Sequence, residues 1–389
     1  MKKANLFFVV FSILSFTLMS CSLVSSMILD DIAVPTARSG HNMLYDAVNE
    51  DIILFGGMKD NNNVEGSYLN DTWLYNYSEN HWSEVQSSIG PGDRNTPAMV
   101  YDPTKERVIL FGGINQDYFF NDTWELDLNT YEWSKIETVN TPGFVADAGL
   151  VFDEVNQEIV LFGGHWQFGY FEETWIFNVN DDTWTKLNTT VFPTQRYGHR
   201  MVYSTKKQSI VLFAGHAYNV SDTVNNDMWI YDCLSKEWSE LITDPVPPTR
   251  YWHDIAYDEV NEKIVMFGGR LNWFNFDCRG DTWEFDEETN QWNEISTEPN
   301  PGERMTFSMV YHEEAERIIL FGGNENPYTS IFNDLWEYNP KRSQWKQIDI
   351  SKTNFDVTLY NLLAIIMLAS LIQRSSKRRK DKRYFIRKS

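Results

Sequence analysis

The chain has 389 residues, of which 15% are aromatic, and its formal net charge at pH 7 is −22. Few single compact domains reach this length, whereas repeat architectures do, so internal repeats are sought first. Basic residues concentrate at the ends: the last sixteen residues carry +8 and Lys2 and Lys3 add +2, which leaves −32 in between. So acidic a body argues against nucleic acid as a partner, because phosphate binding needs a cationic surface, and favours cationic ligands.

Residues 1–21 are predicted to be a secretory signal peptide. Lys2 and Lys3 precede an apolar run over residues 6–18, and a region of small residues ends near Cys21. This is the layout of an export signal. The sequence Leu-Met-Ser-Cys that ends at Cys21 also resembles a bacterial lipobox, although its Met is not the usual small residue. Lipidation at Cys21 and an uncleaved anchor therefore remain alternatives.

A motif with six copies fills residues 35–349. Each copy carries a Phe followed by a pair of small residues, and later an acidic residue two places before a Trp. A second Trp follows nine residues after the first in every copy. The small pairs are Gly56 and Gly57, Gly112 and Gly113, Gly163 and Gly164, Ala214 and Gly215, Gly268 and Gly269, and Gly322 and Gly323. The first Trp of each copy is Trp73, Trp124, Trp175, Trp229, Trp283 or Trp336.

This pattern resembles the kelch repeat, whose hallmarks are the double glycine, a spaced aromatic pair and a period near 50 residues. The resemblance implies an all-β fold: a six-bladed propeller of four-stranded antiparallel blades, with strands A to D, around a central channel. The predicted blades are about 38–84, 94–135, 145–186, 196–240, 250–294 and 304–348. In the first blade, strand A is predicted at 41–45, B at 52–55 and C at 72–75, with D beginning at Trp82.

The repeated glycines and tryptophans are interpreted as structural. Glycine permits a close backbone approach and a positive φ where the chain leaves strand B. The two Trp of each copy are large enough to fill the wedge between adjacent blades. Residues 22–34 form a lead-in, in which Met27 to Asp31 align with a D strand and are a candidate extra edge strand. How the ring closes stays open.

Loop lengths place the variable positions on one face. The distance from each second Trp to the next repeat's Phe is always 29 residues, whereas the interval from that Phe to the first Trp varies from 13 to 18. All length variation therefore lies in the loop between strands B and C. The B–C and D–A loops of a blade emerge on the same face, here called the loop face. Function is expected on it, since variable loops on a rigid scaffold carry binding groups.

The B–C loops are rich in aromatic residues, which suit sugar rings or peptide side chains. The alternative is that several of them fold back onto the rim as small loop cores. The aromatic ligand candidates are Tyr118, Phe119, Trp166, Tyr170, Tyr218, Trp273 and Phe274.

An Arg begins strand A in five copies, three residues after a Pro, and Val145 replaces it in the third. Each Arg is predicted to pair with the acidic residue before the first Trp. The resemblance implies an alternative in which such arginines contact an acidic peptide, so Arg196 and Arg250 are also ligand candidates. If pairing is the rule, Glu173 of the third copy lacks a partner. Blade 3 is therefore the first choice for a ligand contact.

The remaining polar residues predict few special sites. Cys233 and Cys278 are expected on opposite faces, so no disulfide is predicted. His165 and His216 follow the glycines of neighbouring repeats, but two histidines are too few to predict a metal site. Asn188 and Asn219 begin Asn-x-Ser/Thr sequons and are candidates for glycosylation.

Residues 357–373 are predicted to be a single transmembrane helix after a linker at 350–356. The run from Val357 to Ile372 has sixteen residues, fewer than the about 20 of a usual span, and the basic tail 374–389 follows it. Because Lys and Arg stay in the cytoplasm, the tail is expected in the cytosol and the propeller outside the cell.

No phosphate-binding loop, His-Glu-x-x-His or Gly-x-Ser-x-Gly motif is present in the sequence. We therefore expect no catalytic residues, no metal and no cofactor. The favoured function is a cell-surface recognition module that binds a protein, peptide or glycan through the loop face. The alternative is a carbohydrate-active hydrolase, lyase or epimerase at the channel mouth, with Glu173 or another acidic residue as the base.

Overall fold

The computed structural model describes residues 33–60, 66–217, 223–272, 277–326 and 330–351. Those from Pro35 onward belong to one compact unit; of the preceding unit, 1–34, only two residues are described, neither in regular secondary structure. The predicted signal peptide, the candidate edge strand Met27 to Asp31 and the predicted transmembrane helix lie outside the described residues. Within the described part of the chain, no helix is long and apolar enough to cross a membrane.

Six antiparallel sheets confirm the predicted six-bladed propeller. In each, strands A, B, C and D follow chain order and pair with their neighbours. Blade 1 contains β1 (Asn42–Asp46), β2 (Asp51–Phe55), β3 (Thr72–Asn76) and β4 (His81–Val85). Blade 2 contains β5 (Ala98–Asp102), β6 (Arg107–Phe111), β7 (Thr123–Asp127) and β8 (Trp133–Ile136). Blade 3 contains β9 (Gly149–Asp153), β10 (Glu158–Phe162), β13 (Thr174–Asn178) and β14 (Thr183–Leu187), with a hairpin of β11 (His165–Trp166) and β12 (Gly169–Tyr170) in its B–C loop.

The second half of the ring repeats this plan. Blade 4 contains β15 (Arg196–Tyr197), β16 (Arg200–Ser204), β17 (Ser209–Ala217), β18 (Thr223–Asp232) and β19 (Glu237–Leu241). Blade 5 contains β20 (Asp254–Asp258), β21 (Lys263–Phe267), β22 (Thr282–Asp286) and β23 (Gln291–Ile295). Blade 6 contains β24 (Ser308–His312), β25 (Arg317–Phe321), β26 (Leu335–Asn339) and β27 (Gln344–Ile348). In blade 4 strands B and C are lengthened, and Arg196 and Tyr197 pair with the extension of β17.

Burial explains the composition of the strands. B strands lie between A and C and are covered on both faces, so β2 has four consecutive fully buried apolar residues. D strands are edge strands, and in β4 the buried Trp82 is followed by exposed Ser83 and Glu84. The predicted bounds of the blade 1 strands lie within one residue of the observed ones.

Neighbouring blades are joined by one repeated aromatic contact. The Phe before each small pair packs against the second Trp of the next blade, which confirms that these Trp fill the wedges. The ring-centroid distances are 5.3 Å for Phe55–Trp133, 5.0 Å for Phe111–Trp184, 5.2 Å for Phe162–Trp238, 5.0 Å for Phe213–Trp292, 5.2 Å for Phe267–Trp345 and 5.3 Å for Phe321–Trp82. The last of these joins blade 6 to blade 1, so the ring closes through the same contact as every other interface.

The indole N–H of the second Trp adds a hydrogen bond across four of these interfaces. In each, it donates to the Thr that begins strand C of the preceding blade, as Trp184 does to Thr123 at 3.0 Å. Met228 and Leu335 take the place of that Thr in blades 4 and 6. Within the described residues the facing N–H groups of Trp292 and Trp82 have no acceptor.

The first glycine of the pair allows the backbone of the next blade to approach closely. Gly56 has φ +67°, and a Cβ there would lie 2.8 Å from the carbonyl oxygen of Arg94 in blade 2. A side chain would therefore clash with the neighbouring backbone, as the sequence predicted. Ala214 keeps the positive φ, at 60°, in blade 4.

We expect Thr123→Val to lower the free energy of unfolding by about 1–2 kcal/mol, because it leaves the buried Trp184 indole N–H without an acceptor while preserving shape. Urea denaturation of the full chain measures this. Thr243→Val, at a half-exposed position after strand D of blade 4, is the control and should change stability by less than about 0.5 kcal/mol. Equal losses in both variants would contradict a role for the hydrogen bond.

Candidate functional site

Five buried arginines each lie four residues before the main A strand of their blade. Each forms a bidentate pair with the Asp before the first Trp of its own blade. The shortest distances are 2.7 Å for Arg38–Asp71, 2.8 Å for Arg94–Asp122, 2.7 Å for Arg196–Asp227, 2.8 Å for Arg250–Asp281 and 2.8 Å for Arg304–Asp334. The predicted pairing is confirmed. Arg196 and Arg250 are fully buried, so a ligand cannot reach either guanidinium while these bonds are intact.

The backbone of each arginine bonds to the preceding blade, whereas its side chain bonds within its own blade. Arg94 N–H donates to the carbonyl of Leu69 at 3.0 Å, and its own carbonyl accepts from Gly57 N–H at 2.9 Å, both in blade 1. The side chain of Arg94 bonds within blade 2, to Asp122 and to the carbonyl of Gly112. One residue thus ties the B–C loop of one blade to the D–A loop of the next, and both loops lie on the loop face.

In three of these pairs the arginine lowers the pKa of the paired aspartate. Burial alone would raise the pKa of Asp71, Asp122 and Asp281, but the hydrogen bonds and charge of the paired arginine hold it below its ordinary value in all three. Each first Trp adds a bond, as Trp73 Nε1 does to Asp71 at 2.7 Å. These three carboxylates therefore remain ionised at neutral pH and stabilise the fold.

The expectation that Glu173 lacks a partner is wrong. Lys186 on β14 donates to its Oε1, and Trp175 Nε1 donates to its Oε2 at 2.9 Å. Strand pairing places Lys186 directly opposite Trp175, which brings the ammonium within reach of the carboxylate. Burial acts to raise the pKa of Glu173, but these two donors hold it below its ordinary value. Glu173 is therefore poised as an anion and not as a proton donor.

Exposed aromatic side chains lie on the loop face of blades 2 to 4. Phe168 is 74% exposed and Tyr118 66%, and Trp166 is also exposed. Trp166 and Phe168 form an edge-to-face pair with centroids 5.1 Å apart on the β11–β12 hairpin. The D–A loops add the exposed Phe144 and Phe192. Of the sequence candidates, Tyr118 and Trp166 thus remain accessible, while Phe144 and Phe192 were missed because D–A loops show no length variation.

Other aromatic candidates fold inward and support the loops. Phe119 packs edge-to-face on His165 at 5.5 Å, which joins the B–C loops of blades 2 and 3. Tyr170 packs on Tyr197 at 5.0 Å, and His165 and His216 each contact both of these Tyr rings. The loop-core alternative therefore describes Phe119 and Tyr170.

A ring of six residues surrounds the channel at its loop-face end. Each lies two positions after the strand-A Arg or Val145 and has a positive φ: Gly40, Thr96, Asp147, Gly198, Trp252 and Thr306. Five backbone N–H groups donate to the carbonyl of the same position in the adjacent blade, including Gly40 to Thr306 at 2.7 Å across the blade 6 to blade 1 junction. Within the described residues, the sixth hydrogen bond of this ring, from Gly198 N–H to the Asp147 carbonyl, is not formed. The Trp252 indole lies over Gly198 and instead donates to the Asp147 carboxylate at 3.2 Å.

The channel below this ring contains a cavity of about 240 Å³ lined by A strands from all six blades. Its charged groups include Arg200, which donates to Asp254 at 3.1 Å, and Asp147. Burial raises the pKa of both Asp147 and Asp254, partly offset by His165 and Arg200 for the first and by Arg200 and backbone donors for the second. Within the described ranges, no three His, Cys, Asp or Glu side chains converge to hold a metal ion.

The remaining candidates divide between described and undescribed residues. Cys233 and Cys278 form no disulfide, as predicted, and both are buried. Asn188 is exposed, and its glycosylation stays a prediction. Four further candidates lie outside the described residues: Tyr218, Trp273, Phe274 and Asn219.

The chain matches one family model and several known proteins. The family model of the KLHDC2/KLHL20/DRC7 Kelch-repeats domain matches residues 13–215, 146–244 and 207–357. The chain is 26% identical to "Putative protein tag-53" of Caenorhabditis elegans over 79% of its length and 23% of that protein. It is 23% identical to "Mei4-dependent protein 6" of Schizosaccharomyces pombe, covering 77% of this chain and 47% of that one. It is 26% identical to "Kelch domain-containing protein 10" of Xenopus laevis over 66% of each. The chain thus spans between about a quarter and two thirds of these relatives.

We expect Asp71→Asn to lower the free energy of unfolding by about 3–5 kcal/mol, because it leaves the fully buried Arg38 charge uncompensated. Chemical denaturation of the full chain measures the effect. Glu173→Gln, at the same repeat position, is the matched control. Its lysine partner is 47% exposed, so the loss should stay below about 1 kcal/mol. Comparable losses in the two variants would contradict the structural role of the arginine pairs.

Proposed function

The chain belongs to the kelch-repeat propeller family, and from this we propose that it binds a protein or peptide partner through the loop face of blades 2 to 4. Kelch propellers generally serve as protein-interaction modules. The observation that carries the proposal is the exposed aromatic group made by Tyr118, Trp166 and Phe168. Rigid aromatic side chains supply contact area at low entropic cost and recur as anchors of protein interfaces.

The packing beneath the β11–β12 hairpin supports the proposed role in partner binding. The hairpin that carries Trp166 and Phe168 stands on the packed Phe119, His165 and Tyr170 side chains, so its position is fixed before a partner arrives. Preorganised contacts bind more tightly because less freedom is lost on association. The acidic body adds attraction for a cationic partner.

We expect the combined variant Tyr118→Ala, Trp166→Ala and Phe168→Ala to weaken binding at least about tenfold, since interface aromatics commonly supply most of the binding energy. Ligands of the full chain are first identified on protein, peptide and glycan arrays, and their affinities for the variants are then measured by titration.

The matched control places equivalent truncations on the opposite face. Leu234→Ala and Val260→Ala remove exposed apolar side chains from a C–D turn and an A–B turn; Leu234 is 74% exposed. Binding should be unchanged in this control. A loss in the control without a loss in the loop-face variant would place the interface on the other side, and glycans as the sole ligands would overturn a protein partner.

We also propose that the propeller lies outside the cell, with residues 374–389 in the cytosol. The supporting pattern is in the sequence: an export signal at 1–21 and an apolar run at 357–373 followed by nine basic residues.

Protease added to intact cells is expected to destroy an epitope inserted at the exposed Leu234 turn and to leave a C-terminal epitope protected. Permeabilised cells, in which both epitopes should be cut, provide the control. Protection of both epitopes in intact cells would contradict this orientation.

A further inference from the structure

Blade 3 departs from the other five blades at the position of the buried arginine. In those five, the guanidinium Nη1 donates to the carbonyl of the first residue of the small pair, at 2.8–3.0 Å, as well as to the Asp. In four, Nε also donates to the carbonyl two residues upstream, as Arg94 does to Gly92. In blades 2 and 6 a Phe ring lies against the cation, 4.1 Å from Arg94 and 4.5 Å from Arg304.

The backbone at this position is the same in blade 3. Val145 N–H donates to the carbonyl of Phe120 at 3.0 Å, and its carbonyl accepts from Gly113 N–H at 2.8 Å. These bonds correspond to those that Arg94 makes with blade 1. Only the side chain therefore differs, and Val is too short to reach the carboxylate.

The groups that bind guanidinium elsewhere in the ring remain around Val145. They line a small cavity in blade 3 that also touches Pro142 and Trp175. The counterparts of Gly92, Gly112, Phe120 and Asp122 in blade 2 are Gly143, Gly163, Phe171 and Glu173 in blade 3. Trp175 anchors the Glu173 carboxylate at 2.9 Å as Trp124 anchors that of Asp122 at 2.7 Å.

Glu173 is more accessible than the five paired aspartates. Its side chain is 32% exposed, against 16–23% for the aspartates, and Lys186 is more exposed still. The cavity holds about 10 Å³, roughly the space for one water, and the Cζ of Phe171 lies 3.2 Å from the place that a Gly143 Cβ would take. An incoming guanidinium must therefore shift the Phe171 ring as well as displace the Lys186 ammonium from Glu173. A planar guanidinium is suited to do so, because it offers paired donors and stacks on an aromatic ring, whereas an ammonium is a single point charge.

We propose that this cavity, defined by Gly143, Gly163, Phe171 and Glu173, is a guanidinium site that takes an arginine side chain from the partner. The five intramolecular arginines specify the occupant, since each bonds the carboxylate and the carbonyl of the first small-pair residue of its own blade. Those of blades 2 and 6 also lie against a Phe ring. Gly143 lies in the loop before strand A and Phe171 in the loop before strand C, so the cavity lies on the loop face. The inference rests on the proposed function, because the arginine is supplied by the protein that binds there.

Binding of L-argininamide to the full chain, followed by NMR titration, tests the site with L-lysinamide as the matched ligand. Saturable binding of argininamide and at least tenfold weaker binding of lysinamide are expected. Val145→Arg supplies the guanidinium within the chain and should abolish argininamide binding while raising the melting temperature. Lys186→Ala removes the competing ammonium and should tighten binding severalfold.

Lys135→Ala is the control, because Lys135 occupies the position of Lys186 in blade 2, where Asp122 is already paired with Arg94. It should leave argininamide binding unchanged. Absence of binding to both the natural chain and Lys186→Ala, or binding that persists in Val145→Arg, would overturn the guanidinium site. Loss of partner binding in the Tyr118, Trp166 and Phe168 variant without any argininamide binding would leave the proposed function standing and refute this site alone.

Discussion

Five of the six junctions between blades depend on a buried arginine that bonds to two blades at once. Its side chain holds the Asp and the glycine carbonyl of its own blade, while its backbone pairs with the B–C loop of the blade before. Burying a charged guanidinium is costly unless its hydrogen bonds are satisfied. The arginine therefore holds the aspartate and the glycine carbonyl that bond to it in fixed positions. The variable loops begin and end at these bonds, which is why they differ in length without disturbing the ring.

The sequence was a good guide wherever the repeat determines the structure. Constant spacings from Trp82 to Phe111, and so on around the chain, predicted the blades, the strand bounds and the arginine pairs. It was a poor guide where a contact depends on register across strands. Lys186 reaches Glu173 because it lies opposite Trp175, and only the third repeat combines a Lys there with the absence of the Arg. The closing contact between Phe321 and Trp82 was equally hidden, since the two residues are far apart in the chain.

Composition also could not separate exposed aromatics from buried ones. Tyr118 and Phe119 are adjacent, yet the first faces solvent and the second packs on His165. Extended chain directs successive side chains to opposite sides, so an aromatic loop contributes both a surface and its support. The recognition surface and the loop core therefore come from the same short segments, and a substitution in one is felt by the other.

Blades 1 and 6 meet as all other neighbours do. They share an aromatic wedge, and backbone hydrogen bonds join the B–C loop of one blade to the segment before strand A of the next, as Gly323 N–H donates to the Arg38 carbonyl. In an open array of repeats, each added unit brings its own increment of stability. A closed ring differs from such an array, because one Phe and one Trp at its two ends lack their partner rings until the final blade is added. During synthesis, a nascent chain that ends before blade 6 presents Phe267 at one end and Trp82 at the other, each without the ring that covers it. An incomplete product therefore exposes two apolar edges, and both are covered only after the last repeat has been translated.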